Sequence, residues 1–548
     1  MVNSFAYPVS TRPVVMGSRG MVASANPMAS QAGMTMLQNG GNAFDAAVAV
    51  ASTLGVTEPF MSGPGGLGIA LVYVAKEGKV RALDFSGRAP KGAQPDRFTQ
   101  ESKDIGVLSS LIPGNVAGWL ELHAKYGSLE REQLFLPAIN YAENGFGVTY
   151  FNHRHFVKQG LRLQRHAPSA AILYTRNGKV PKPGQRQAFP LLAESLKKIA
   201  KQGRDVFYLG EIAEKIVATQ KELGGLITQD DLASYKTSWV EPLCINYRGY
   251  DMYTNPPNST GFQILETMKI IETYKPSELA FQHPDTVHAF IEAVKLAMTD
   301  RIYFGGDPDY VKAPLKTLLS DDYAKKQRKR IDANVPNISP GEHFVANKPL
   351  RALKAGVPGE IDGGMTTHFA VADSEGNVVS VTQTLGGGFG SAVAMGDTGV
   401  FLNNMAYWFD LAEGAPNRIG PGKRVDFCVA PVQVFKDDRF TLSLSTPGSW
   451  GILQTTPQML MNVLDFGMNI QQAIDQPRLR VYEKTIVEME ERFPGNMRLD
   501  LENRGHEVRV LESWSLNVGG GHGIYRDPDE GIFQGGADPR RDGVAIGW

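Results

Sequence analysis

The stretch DGGMTTHFAVADSEGNVVSVTQT (362–384) decides how this chain folds. Two glycines lead into a Met-Thr bond, and from Thr366 onward the pattern has period two. THFAVAD (367–373) and VVSVTQT (378–384) read as strands, and Ser374-Glu375-Gly376-Asn377 between them reads as a hairpin turn. Thr366 therefore opens a strand directly after the permissive Gly363-Gly364 pair, which suits a nucleophile created by chain cleavage. If the Met365–Thr366 bond is cut, Thr366 gains a free α-amine with an ordinary pKa of roughly 7.7–8.0. Attacking hydroxyl and proton acceptor then belong to one residue. Before the cut, the same hydroxyl can attack the preceding carbonyl, and the two glycines let the backbone take the turn this requires. Spacing alone favours a plainer reading, a Gly-terminated loop entering an ordinary Thr-rich strand.

Upstream, Asn26-Pro27 reads as a helix cap with Pro at the first helical position, and Gly40-Gly41 ends that helix. Asp45 to Leu54 reads as a second, buried helix. SGPGGLG (62–68) turns into the strand LGIALVYVA (67–75), whose partner runs from Lys79 to Phe85 beyond Lys76-Glu77-Gly78. Residues 114–345 read as mostly helical, clearest at VHAFIEAVKLAMTDRIYF (287–304). Lys348 to Gly364 reads as an exposed linker. Downstream, RFTLSLST (439–446) is a strand ended by Pro447-Gly448, and Leu453 to Gln476 is mostly helical.

The 548 residues exceed one ordinary core and suggest several lobes or one large interlocked fold. With 56 Lys+Arg against 57 Asp+Glu, the net charge of −1 argues against a nucleic-acid partner. Two distant cysteines, Cys244 and Cys428, make neither a disulfide framework nor a Cys-based zinc site. The N-terminal segment has no apolar leader and no apolar run reaches the ~20 residues of a membrane span, so a cytoplasmic protein without a membrane partner is expected. LGGGFGS (385–391) lacks the third glycine of a dinucleotide fingerprint, SGPGGLG lacks the Lys-Ser/Thr ending of a P-loop, and no G-x-S-x-G elbow occurs. His153-Arg154-His155 has no third ligand at metal spacing and reads as a surface loop. His368 reads as a residue facing the site or as a satisfied core histidine. Neither cofactor nor metal is expected.

The chain also resembles, over nearly its full length, the γ-glutamyltransferase family of N-terminal nucleophile hydrolases. The resemblance is carried by GMVASANPMASQAGMTMLQNGGNAFDAAVAV (20–50), PGNVAGWLELHAKYG (113–127), GGLITQDDLASYK (224–236), YRGYDMYTNPPNSTG (247–261), DPDYVKAPL (307–315) and GGADPRRDG (535–543), in order and at similar spacing. It implies an α+β, four-layer αββα sandwich made by a self-cleaving precursor. The fragments would be a large chain, 1–365, and a small chain, 366–548, held together as a heterodimer, with a dimer of that unit left open. By resemblance, Thr366 is the nucleophile, with Met365 on the other side of the cut. Thr384 is the second threonine that hydrogen-bonds it, and Gly448 and Ser449 supply the oxyanion hole through backbone N–H groups. Such donors survive a Gly-to-Ser change. Counting symmetrically about the turn sets Thr384 opposite Thr367, so a bulge is expected to bring the two hydroxyls together.

The departures from the family fall on γ-glutamyl binding. Ser86 follows Asp84-Phe85 where an Arg is expected two residues after the Asp, and Arg88 stands two positions late. Gly386 replaces an Asn. The run Asn403-Asn404-Met405-Ala406-Tyr407-Trp408 has Met405 and Trp408 where the family has Gln and Asp, and Phe427-Cys428 replaces paired serines. The expected substrate-side residues are Ser86, Arg88, Asn404, Tyr407, Trp408, Phe427 and Trp450. Aromatic bulk and small residues stand in place of partners for a carboxylate and an ammonium group, so a zwitterion is poorly matched. The expected activity is hydrolysis of a small acidic amide through an acyl-Thr intermediate, oxamate to oxalate and ammonia as in purine-ring degradation. A γ-glutamyl transferase or glutathione hydrolase, a glutaryl-type acylase, and a cleavage-dead binding homologue are the competing expectations.

Overall fold

The structure is a computed structural model that describes residues 10–173, 178–336, 342–343, 348–349 and 365–548. The strands that build it are β1 (Val15–Gly17), β2 (Met21–Ser24), β3 (Leu67–Val74), β4 (Lys79–Phe85), β5 (Ser238–Val240), β6 (Leu243–Tyr247) and β7 (Tyr250–Thr254). After these come β8 (Met365–Ala372), β9 (Val378–Gly386), β10 (Val432–Lys436), β11 (Arg439–Ser445), β12 (His522–Arg526), β13 (Phe533–Ala537) and β14 (Val544–Gly547). They form two seven-stranded sheets, ordered β14-β2-β8-β9-β3-β4-β5 and β1-β13-β12-β11-β10-β7-β6. The sheets pack face to face through Met21, Ala23, Ala370, Ala372, Phe435, Phe440, Ile524 and Phe533. Helices α1 (Pro27–Gln38), α2 (Ala43–Thr57) and α3 (Asn115–Tyr126) cover the first sheet. Helices α4 (Phe262–Glu272), α5 (Pro284–Phe304) and α6 (Ile452–Leu464) lie over the second. The result is the expected αββα sandwich, and its central strands lack the simple inside-outside alternation of a half-exposed sheet. Every residue of β8 and β9 is buried, because one face meets the other sheet and the opposite face meets helices.

The first two helices form as their sequences dictate. Asn26 accepts from the Met28 N–H at 3.0 Å, Pro27 opens the helix, and Gly40 takes φ +88 beyond its end. Asn42 and Asp45 form a reciprocal capping box on α2, whose fifteen residues are all buried.

The segment 114–345 is mostly helical among its described residues, as expected, though β5, β6 and β7 lie within it and complete the edges of both sheets. Short strands punctuated by Pro and Gly carry little periodicity, and that hid them. His153 and His155 lie on the helix Tyr150–Leu163, not in a surface loop. His155 is buried, stacked on Phe60 with ring centroids 4.7 Å apart. Of the proposed 348–364 linker only 348–349 is described, paired with 342–343; the rest lies outside the described residues. Cys244 and Cys428 are both free thiols. No helix among the described residues is long and apolar enough to cross a membrane.

Candidate active site

The hairpin register sets the site. Asp373 closes the turn on Asn377, with its N–H on the Asn377 carbonyl at 3.1 Å, and Gly376 takes φ +90. A left-handed glycine absorbs one residue, so the two strands pair one position away from symmetric counting. Thr366 therefore lies directly opposite Thr384, not Thr367 opposite Thr384 as expected. An irregularity does occur between Met365 and Thr366, but the threonines are already in register without it.

Residues directly opposite on neighbouring strands share a face. Thr366 and Thr384 project toward the second sheet, as do His368 and Thr382, whose side chains bond at 2.8 Å. His368 is a core histidine, held to about pKa 3 by burial, so it stays uncharged. Thr367 and Gln383 project the other way, toward α2 and α3. Gln383 donates to the Ala51 carbonyl at 3.1 Å and accepts from the Trp119 indole at 2.8 Å.

The proton pattern at the nucleophile follows from these contacts. Thr384 Oγ1 lies 2.6 Å from the Met365 carbonyl oxygen, which can only accept, so Thr384 donates there. Its single proton is then committed, and the Thr366 hydroxyl at 3.1 Å must be the donor to Thr384. The Gly386 N–H also points at Thr384 Oγ1, at 2.8 Å. The Met365 carbonyl is thus polarised by Thr384, and the Thr366 hydroxyl is held by the same group. Thr366 is 4 % exposed and Met365 is 3 % exposed, so the bond between them is sequestered.

Arg541 completes the strand start. Its Nη1 donates to the Thr366 carbonyl at 2.9 Å from a buried position. The motif GGADPRRDG positions it. Asp538 accepts from the Gly521 N–H at 2.8 Å and pairs with the Arg478 guanidinium. Arg540 binds Glu490 and Asp538. The sequence motif was legible, but no role for Arg541 was read from it, nor any for Glu58, which lies beneath Thr367.

The turn expected to stabilise an oxyanion is at Gly448-Ser449, after β11. Gly448 has φ +134 and Ser449 has φ +59, both in the region that favours glycine. Among the described residues neither N–H has a hydrogen-bond partner. A side chain at Gly448 would meet the Gly519 Cα at 3.1 Å, and one at Gly520 would meet the Arg541 side chain at 2.5 Å. These contacts run from the turn through Gly519-Gly520 to the Arg541 that holds Thr366.

The expected substrate-side residues separate into groups. Asn404 accepts from the Gly387 N–H at 2.6 Å and donates to the Asp104 carbonyl at 2.7 Å, fixing the end of β9. A side chain at Gly386 (φ +97) would run into Asn404 Oδ1 at 2.2 Å, which accounts for the glycine. Trp408 and Trp450 pack ring to ring at 4.8 Å, and the buried Arg301 guanidinium stacks over Trp450 at 3.7 Å. Trp450 directly follows Ser449, so this aromatic pair borders the turn. Tyr407 is 49 % exposed, and Phe427 is wholly buried in the core of the second helical layer. Ser86 is buried and accepts from Asn258 at 3.1 Å. Arg88 donates to the Gly422 carbonyl at 3.2 Å. The nearby Asp84 is paired with Arg424 (3.5 Å), which also binds Asp307 and Asp309 at 2.9 Å each.

Among the described residues one cluster has metal-ligand character: His288, Glu292 and His506, all buried. The Lys295 ammonium already pairs with Glu292 at 2.9 Å, so a positive charge is in place there. None of these residues touches the Thr366 hairpin.

A Thr at the start of a central strand of an αββα sandwich, bonded to a second Thr that also holds the preceding carbonyl, is the arrangement of an N-terminal nucleophile hydrolase fold. The family model described as Gamma-glutamyltranspeptidase matches residues 29–548, and the chain belongs to that family of self-processing hydrolases acting on amide bonds. It is 36 % identical to the glutathione hydrolase-like YwrD proenzyme of Bacillus subtilis (strain 168), over 97 % of this chain and 99 % of that protein. It is 35 % identical to the acylase ACY 1 proenzyme of Pseudomonas sp. (strain SE83), over 97 % and 94 % respectively. The solved cephalosporin acylase from Bacillus halodurans superposes with a TM-score of 0.89 at 34 % identity, covering 100 % of this chain and 99 % of that one.

Proposed function

We propose that the chain cuts itself between Met365 and Thr366, and that the freed Thr366 then hydrolyses the monoamide of a small dicarboxylic acid. The fragments would be 1–365 and 366–548, paired as a heterodimer. The observation that carries this is the Thr384 hydroxyl, which touches both the Thr366 hydroxyl and the Met365 carbonyl oxygen. Thr366 Oγ1 bonds to the Met365 carbonyl carbon and the Met365–Thr366 C–N bond breaks. The hydroxyl proton passes to the departing nitrogen, and water splits the resulting ester. The free α-amine then accepts the Thr366 proton during attack on a substrate amide. The Gly448 and Ser449 N–H groups stabilise the oxyanion. Ammonia or an amine leaves, and water releases the acid.

Oxamate is the first candidate substrate. By the family resemblance, Ser86, Gly386, Met405 and Trp408 stand where an amino-acid headgroup would need polar partners, and the Trp408–Trp450 pair narrows the border of the turn. A glutaryl-type amide is the second reading, favoured by the close overlap with a cephalosporin acylase. A γ-glutamyl amide is the third, favoured by the glutathione hydrolase-like relative. The test has two parts. Thr366→Ala should leave one uncut band at 59.8 kDa without activity, and a variant that still splits removes the assignment. Amine or ammonia release from oxamate, glutaryl amides and γ-glutamyl amides then ranks the substrates. γ-Glutamyl turnover at ordinary enzyme rates, ~1–10³ s⁻¹, would restore the transferase reading.

A further inference from the structure

Three consecutive residues at the start of β8 are pinned by three different parts of the chain. The Met365 carbonyl is held by Thr384 on β9 at 2.6 Å. The Thr366 carbonyl is held by Arg541, near the C-terminus, at 2.9 Å. The Thr367 hydroxyl donates to Glu58 Oε2, just beyond α2, at 3.4 Å. Glu58 is 0 % exposed, and its other carboxyl oxygen has no hydrogen-bond partner among the described residues. Burial pushes this carboxyl up to about 8; Arg541 is the charge that opposes the rise, and Asp542 adds to it. Burying a carboxyl with so little compensation is costly, and a neutral residue at this place would avoid the cost.

A strand end held only by its ladder frays, and cleavage would make Thr366 such an end. A nucleophile must stay within roughly 0.5 Å of its productive place. We propose that Glu58 is a positioning residue for Thr366. From the helical face it anchors Thr367, next to the carbonyl that Arg541 grips, so that the Thr366 hydroxyl keeps its contact with Thr384. The brace would then join the large fragment, through Glu58, to the small fragment, through Thr367. The inference rests on Thr366 being the nucleophile.

Self-cleavage tests it without a substrate. Wild-type and variant chains are pulse-labelled in cell-free translation, and the uncut fraction is followed on denaturing gels, with melting temperatures measured beside it. Glu58→Leu keeps most of the size but removes the acceptor for Thr367, and should slow cutting ten-fold or more. Glu58→Asp should recover part of the rate. Thr367→Val should slow cutting similarly, and the double variant Glu58→Leu/Thr367→Val should be no slower than the slower single one. Val48→Ala, a core truncation on α2, should lower the melting temperature and cut at the wild-type rate. Wild-type cutting by Glu58→Leu, or a Val48→Ala slowing that matches its loss of stability, overturns the proposal. If Glu58→Leu does not fold, Glu58→Asp and Thr367→Val decide, and wild-type rates in both overturn it. Cutting by Thr366→Ala would instead remove the nucleophile reading itself.

Discussion

Thr366 and Thr384 stand on two central strands buried on both faces, whereas Asn404, Trp408 and Ser449 stand on short turns that converge from separate parts of the chain. The two regions differ in what fixes them. Ladder pairing sets the threonine pair, and slipping it by one residue would turn every β8 side chain to the opposite face. The turns are set residue by residue, through single contacts such as Asn404 on Gly387 and Thr446 on Gly520. A substitution on a turn can therefore change which acyl group is accepted while leaving the nucleophile where it is. This fits a chain whose departures from its family, Gly386 at the end of β9 apart, lie outside the hairpin.

The sharpest way to break this contrast is Thr384→Val. It removes the donor to the Met365 carbonyl and the acceptor for the Thr366 hydroxyl together, with little change of shape. Self-cleavage should fall by about 10²–10³, the usual cost of one preorganised donor. Thr384→Ser should regain most of the rate. Time courses on denaturing gels measure both, and a Thr384→Val chain that cuts at wild-type speed would mean that ladder pairing does not control the chemistry.

Next in size is the Gly448-Ser449 turn. Gly448→Ala puts a side chain at φ +134 against Gly519 and should lower substrate turnover by roughly 10–100-fold by displacing a donor. Ser449→Ala should stay within about two-fold of wild type, because the backbone N–H is kept. A large loss in Ser449→Ala would assign the work to its hydroxyl. A smaller effect is expected at the aromatic border. Trp408→Ala should change KM by about ten-fold, or ~1.4 kcal/mol, for the best substrate of the amide screen, with self-cleavage unaltered. Slower cutting in that variant would show that the two regions are not separable.

The same contrast explains what could be read from the sequence. Strand and hairpin followed from period two and a Gly-containing turn, which also put Thr366 at a strand start, whereas Thr384 was singled out by the family resemblance. The register was off by one because a left-handed Gly376 is invisible to symmetric counting. Strands β5 to β7 were missed because three to five residues beside turns carry too little pattern. Arg541 and Glu58 were missed for a different reason: they reach the nucleophile from positions 175 and 308 residues away from Thr366, and only the fold brings them there. Phe427, expected beside the substrate, packs into the core, since an aromatic in a sequence does not announce which side of a wall it faces.

The smallest effect on chemistry and the clearest on stability belongs to His155. It lies behind the strand-held region, stacked on Phe60, with both ring nitrogens unpartnered among the described residues. Burial lowers its pKa to about 3, and the Arg541 charge adds to the shift. In the unfolded chain a histidine titrates near 6.5. Between those values the unfolded state takes up a proton that the folded state refuses, so stability falls as pH drops below about 6.5 and the loss levels off near 3. From pH 7 to pH 5 this one group should cost about 2 kcal/mol. His155→Phe keeps the stacked ring and removes both the unpartnered nitrogens and the proton. The variant should be more stable than wild type by about 1–3 kcal/mol at pH 7, the penalty of an unsatisfied buried polar group. Its loss of stability between pH 7 and pH 5 should be smaller than that of wild type by the same ~2 kcal/mol. Urea titrations of the uncut Thr366→Ala chain, with and without His155→Phe, measure both. Identical pH dependence in the two chains would mean that His155 meets water in the folded state, and the dry packing behind the nucleophile would have to be redrawn.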